Sequence, residues 1–395
     1  MATILDYLDW RGDVPFSAAG VSEADAYLLC KAGTPDLRGI VPEDGTYIPL
    51  RRAMELYKAR GGETDLGLLT SDKIVPALLD MAEKRRYEDV MLTGYRLQVS
   101  EANNEQFSAL TLRLPGGRHW VTFRGTDDTI VGWKENLLMT VMDAVPAQEA
   151  AADYLRWAAE TYPGALTVAG HSKGGNMAVY AAASAEEDVQ RRIDRVVNID
   201  GPGFLESFLL SEGYVNIRSR VRTFLPQYTM VGSLLYQDSD CAVVKSSALF
   251  FAAHDGFTWE VDPAGSFVRC EDLSPASRAY ERTMKELLTG MTLAQRREFI
   301  EEFFGTLTAT GAVTLTDLTD RKLREILRTA RALNQEPGVH KLVSDALELM
   351  ARGYLTEKGK TLPRLRLPGP FSRKQREETA PAEDAGPPEE NDWYA

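Results

Sequence analysis

Cysteine and histidine are both scarce in this chain. The three cysteines, Cys30, Cys241 and Cys270, are odd in number and widely spaced. That spacing excludes a disulfide framework or a zinc knuckle and suits a reducing compartment. The opening MATILDYLDWRGD is acidic by position 6 and has no apolar stretch of the signal-peptide kind, so no secretion signal is expected. No run approaches the ~18 apolar residues of a bilayer-crossing helix. No membrane span is therefore expected, and the cytoplasm is the expected compartment. Positive charge is short as well: 45 Lys and Arg against 58 Asp and Glu leave a formal net charge of −13. Nucleic acid and anionic membrane surfaces would on average be repelled, which argues against either as the main partner.

What is present can build a large core, since 44% of the 395 residues are hydrophobic, and a wholly disordered chain is excluded. No internal repeat is visible. Residues 1–85 mix short helical patterns with Gly/Pro loops and read as an N-terminal helical cap region of the domain that follows. From 86 to 272 the pattern is that of a core. DVMLTGYRLQV, FSALTLRL and HWVTFRG are strands separated by the turn signals NNE and PGG. After them helix-like VPAQEAAADYLRWAAETYPG and GGNMAVYAAASAEE alternate with strand-like ALTVAG, DRVVNID and RVRTFLP. This alternation predicts an α/β fold, a mostly parallel sheet with helices on both faces. Residues 273–358 are helical in pattern, with a capping-box start at Thr292 and Gln295, and 359–395 form a polar, Pro-rich tail expected to be disordered.

The chemistry centres on VAGHSKGGNMAVYAA, in which Ser172 stands between Gly170 and Gly174. An apolar strand, a G-x-S-x-G bend and a helix make a nucleophile elbow. The glycines let strand and helix pass closely, and the turn exposes the serine hydroxyl beside the helix N-terminus. A plain tight βα turn is the competing reading of the same residues. A serine nucleophile needs a base, and the four histidines allow elimination. His119 begins a strand before the serine, His171 adjoins it and must point away, and His340 falls in the helical C-terminal part. His254, in FFAAHDGFTW, follows the last core strand and fits the Ser-before-His order.

The orienting acid should follow the serine at the end of a core strand. Asp200 ends RVVNID and is preferred; Asp238 and Asp240 in YQDSDC are the alternatives, and an ordinary loop carboxylate remains a reading for all three. For the oxyanion hole, the N–H after the nucleophile belongs to Lys173, and VTFRGTDD offers that of Thr126 after the permissive Gly125. An ordinary Gly-containing loop before a helix is the alternative there. No metal site or cofactor is called for.

Taken together, VTFRGT, WKENL and GHSKGG resemble the class 3 lipases of the α/β-hydrolase superfamily. GHSKGGNMAVYAA, DGPGF, VGSLL and HDGFTW are similar to a bacterial group of lipase-like proteins, a likeness spanning about residues 1–262. The resemblance implies an α/β-hydrolase fold with Ser172 as nucleophile, His254 as base, and Thr126 and Lys173 as oxyanion donors. Two positions depart from it. The strand ending in PQYT lacks the aspartate that class 3 lipases carry after it, and position 173 is lysine where they have leucine. An outward, solvated lysine side chain is expected, with a cation favouring an anionic substrate as the alternative.

The expected activity is acyl transfer from a small-molecule ester or acyl substrate to water, of the carboxylesterase or lipase kind. A hydrolase-fold scaffold without catalysis, and a thioesterase or serine peptidase on the same fold, are the other readings. A protein partner on the C-terminal helices is left open.

Overall fold

The computed structural model describes residues 1–67, 70–238, 241–314, 316–318, 320–333 and 339–347, all within one compact unit, Met1–Ala351. Asp240 and the tail at 359–395 lie outside the described residues. Eight strands form one sheet in chain order: β1 (Ile48–Pro49), β2 (Met91–Ser100), β3 (Glu105–Arg113), β4 (His119–Phe123), β5 (Leu166–His171), β6 (Ile193–Ile199), β7 (Val221–Pro226) and β8 (Cys241–Val244). From β1 to β4 neighbours are antiparallel, and from β4 to β8 they are parallel. From β2 to β7, connection length explains the change. The links around Asn104 and around Gly116 and Gly117, all at positive φ, are hairpin turns too short for a crossover. From β4 to β7, helices in the connections carry the chain back.

The helices are α1 (Ile4–Arg11) and α2 (Glu23–Lys31) before β1, α3 (Leu50–Ala59) and α4 (Ile74–Glu83) between β1 and β2, then α5 (Ile130–Leu138), α6 (Pro146–Thr161), α7 (Lys173–Ser184), α8 (Glu187–Arg192), α9 (Glu206–Leu209) and α10 (Glu212–Ile217) between later strands. After the sheet come α11 (Pro275–Thr289), α12 (Leu293–Thr308) and α13 (Asp320–Leu333). Thr292 and Gln295 do form a capping box at the start of α12.

Strand alternation separates the core into two apolar clusters. On one face, Phe107, Ala109, Val121, Phe123 and Val168 meet the small and aromatic residues of α6 and α7. On the other, Leu110, Leu112, Trp120, Ala169 and Val197 meet α1 to α4 together with Phe257 and Trp259. The stretch expected as a cap thus supplies the helical layer over the second face. A buried ion pair joins that layer: Asp25 binds Arg86 at 2.6 Å and accepts from the hydroxyls of Tyr87 and Tyr7. The segment at 205–217 holds the short α9 and α10.

The C-terminal helices brace α5. Lys134 pairs with Glu301 at 2.8 Å, and Arg296 donates to the carbonyl of Thr140. Just before α5, Thr129 bridges Thr314, and Ile130 N–H donates to Val313 O at 2.9 Å.

Candidate active site

β5 is buried along its whole length, and its last residues bend sharply into α7. Ser172 sits at the bend with φ 59° and ψ −135°, a strained setting for a residue with a side chain and one that marks functional turns. Packing explains the glycines beside it. A Cβ on Gly170 would lie 2.1 Å from the Gly174 carbonyl carbon, and one on Gly174 would lie 2.1 Å from Phe123 O of β4. Strand, helix and neighbouring strand can pass this closely only without side chains. The Ser172 N–H then donates to Ile199 O at the end of β6, 2.9 Å away.

One residue beyond Ile199 is Asp200, wholly buried and at φ 47°. Its Oδ1 accepts from Thr229 Oγ1 at 2.6 Å and Gly232 N–H at 3.2 Å, while Oδ2 faces His254 Nδ1 at 2.6 Å. Of the two candidate carboxylates among the described residues, Asp200 is the one that meets His254. Asp238 is held by Tyr214 Oη at 2.9 Å and by Arg218. The other histidines have different neighbours: His119 meets Tyr47, His171 meets Lys31, and His340 meets Glu302. His254 closes a short 3-10 helix, Phe250–His254, and the adjoining Leu249, Phe250 and Phe251 expose their apolar side chains.

α2 holds this histidine loop from behind. Tyr27 donates to Asp255 and accepts from Gly256 N–H, and Ser71 donates to Asp255 at 2.8 Å. His171 Nε2 donates to the carbonyl of His254 at 2.8 Å, so its Nδ1 is left to accept from Lys31 Nζ at 2.8 Å. Burial, and then the charge of Lys31, hold His171 well below the usual histidine range. The neutral ring with the proton on Nε2 is therefore the resident form. Neither Lys31 nor Tyr27 carries a local signal in sequence, since each reads as one residue of an amphipathic helix.

Burial also pushes Lys31 down, to about 8. Between about pH 8 and the ordinary lysine value of 10.5 the folded chain has released a proton that the unfolded chain keeps. This group therefore makes stability rise with pH across that window; below it both states are protonated, and the burial penalty is felt in full. The urea midpoint of the native protein relative to Lys31→Met should increase between about pH 7.5 and about pH 10. A flat or falling difference would count against the depressed lysine.

The loop after β4 lies against the serine: a Cβ on Gly125 would come within 2.9 Å of His171 O and 3.1 Å of Ser172 Cβ. The next residue, Thr126, exchanges hydrogen bonds with Asn136 of α5, whose Nδ2 is 2.8 Å from Thr126 Oγ1. Lys173 corrects the sequence reading. Its side chain is neither outward nor solvated: it is fully buried, with Nζ 2.8 Å from Glu135 Oε2 and 2.6 Å from Gln106 O. From the first turn of α7 the Lys173 side chain reaches β3 and α5, where Glu135 supplies the counter-charge. A buried, neutralised ammonium offers nothing to an anionic substrate.

A cavity of about 440 Å³ runs along α7, lined by Met139, Asn176, Tyr180, Phe204, Phe208 and Leu235. It begins one turn after the serine. Among the described residues no cluster of three or more His, Cys, Asp or Glu is arranged to hold a metal, and no helix is long and apolar enough to cross a membrane.

A mostly parallel sheet with helices on both faces, and a strained serine between strand and helix at its centre, is the α/β-hydrolase fold. Within that class the chain belongs to the Mbeg1-like family, whose family model matches residues 81–305. Two solved structures are similar in part. The propeptide complex of Rhizomucor miehei lipase is 14% identical over 40% of this chain and 57% of its own, at a TM-score of 0.29. The M37 lipase is 11% identical over 42% and 62%, also at 0.29. The chain thus spans about three fifths of each of these lipases. No curated protein matches it.

Proposed function

We propose that this protein is a serine hydrolase, a lipase-like carboxylesterase that transfers an acyl group to water. Ser172 Oγ attacks the ester carbonyl while His254 Nε2 takes the hydroxyl proton. Asp200 keeps the other proton of the imidazole on Nδ1 and steadies the cation that forms. The amide hydrogens of Thr126 and Lys173 receive the oxyanion. Collapse expels the alcohol, which takes the proton from His254; water, deprotonated in turn by His254, then frees the acid and restores the serine.

The observation that carries this reading is the 2.6 Å contact of His254 with a wholly buried carboxylate whose other oxygen is already occupied. It also weighs against a hydrolase-fold scaffold without catalysis: the acid lacking after β7 has a counterpart at the end of β6. Leu249, Phe250 and Phe251 beside His254 favour an apolar acyl group over a peptide or an anionic substrate. We assign catalysis to residues 86–272, with α12 bracing α5 through Glu301. We assign the protein to the cytoplasm, consistent with three cysteines that no disulfide joins.

A fluorophosphonate probe should label the native protein on the peptide that contains Ser172. Absence of labelling, with no turnover of p-nitrophenyl esters, acyl-thioesters or peptide anilides, would sink the proposal. Preference for the thioesters or anilides would move it to another leaving group on the same machinery.

A further inference from the structure

We infer that the buried pair Lys173–Glu135 positions the oxyanion-binding amides; this inference rests on the serine hydrolase reading above. Glu135, wholly buried, gathers four elements at one carboxylate. Oε2 accepts from Lys173 Nζ at 2.8 Å and from Gln106 N–H of β3 at 3.0 Å, and Oε1 accepts from Ala147 N–H in the first turn of α6 at 2.8 Å. Lys173 adds a second tie to β3 through Gln106 O at 2.6 Å. The next residue of α5, Asn136, grips Thr126 by its hydroxyl at 2.8 Å. Two successive side chains of one helix therefore hold the side chains of the two residues whose amides the hydrolase reading assigns to the oxyanion.

Both amides are left available. Lys173 opens α7, where the helix itself cannot use the N–H, and among the described residues neither that N–H nor that of Thr126 has a hydrogen-bond acceptor. The ties run through the side chains, so the backbone donors are fixed in place without being consumed.

Stability alone is a poor reason for such a pair. Two buried charges forfeit their hydration, and neutral replacement of both is often neutral or stabilising. Fixed geometry is a better one, because a donor displaced by about 1 Å can cost as much as 10²-fold in rate. The pair sets where α7 begins against β3, and with it where the Lys173 amide points.

The test compares the native protein with the double variant Lys173→Met/Glu135→Gln and with Asn136→Ala, whose half-buried site tolerates truncation. Each is assayed for kcat and KM on a p-nitrophenyl ester and for inhibition by an alkyl trifluoromethyl ketone, which forms a tetrahedral oxyanion. The double variant is expected to stay folded with a lowered urea midpoint, since one of the two N–H groups on Glu135 loses its acceptor, and to lose about 10- to 100-fold in kcat, with KM changed less than about threefold and inhibitor affinity falling in step with kcat. Asn136→Ala is expected to show the same split at about tenfold and keeps the inference testable should the double variant fail to fold. Unchanged kcat and inhibitor affinity in a folded variant would overturn the positioning role while leaving the hydrolase reading intact. A native protein that neither labels nor turns over would overturn both.

Discussion

Ser172→Ala is expected to lower kcat about 10⁶-fold, the size of loss seen when the nucleophile of a catalytic set acting as one unit is removed. Its fold should survive, because the substitution removes a single oxygen and leaves the Cβ that the bend already accommodates. The strained φ of 59° is no worse for alanine than for serine, and the tie from residue 172 to Ile199 O is made by the backbone. The measurement is burst and steady-state turnover of a p-nitrophenyl ester, with fluorophosphonate labelling as the companion readout. A variant that keeps more than about a hundredth of native turnover would exclude Ser172 as the attacking group.

Asp200→Asn should cost about 10⁴-fold in kcat, and the hydrogen bonds around it explain why so small a change has so large an effect. Oδ1 is held by two donors, Thr229 Oγ1 and Gly232 N–H. An asparagine will seat its carbonyl oxygen there and turn its NH₂ toward His254. The imidazole must then accept at Nδ1 and carry its proton on Nε2, the atom that should be taking one from the serine. Binding of substrate is untouched, so KM should stay near its native value while kcat collapses. Unfolding in urea should shift little, since the same shape and two of the three contacts persist. A loss of less than tenfold would remove Asp200 from the orienting role.

Both expectations depend on details of unequal visibility in the sequence. The elbow was legible because everything that makes it is local: an apolar run, two glycines at fixed offsets from Ser172, and a helix of small residues directly after. The hairpins around β3 were legible for the same reason, since short polar turns leave no room for a crossover. The carboxylate was legible only as a preference for Asp200 over two others. Asp200, Asp238 and Asp240 all follow the serine in a plausible place, and only packing of β6 beside β5 brings one of them to His254. Lys173 misled because a lysine in the first turn of a helix is ordinarily solvated, and nothing nearby in sequence announces Glu135 as its partner. The layer at 1–85 had no periodicity that could say which surface it covers, although α2 proves to steady the loop of His254.

By itself, then, the sequence determined the order of strands and helices, the bend at Ser172 and the candidate histidine. Strand alternation, helix periodicity and turn chemistry are settled among residues a few positions apart. Only the tertiary structure decided which acid meets His254, which way Lys173 runs and what braces the site. Those contacts join residues 54, 38 and 228 positions apart in His254–Asp200, Lys173–Glu135 and Tyr27–Asp255. Each became favourable only once apolar burial had closed the chain around it, because a charge or amide paired in that interior has no water to fall back on.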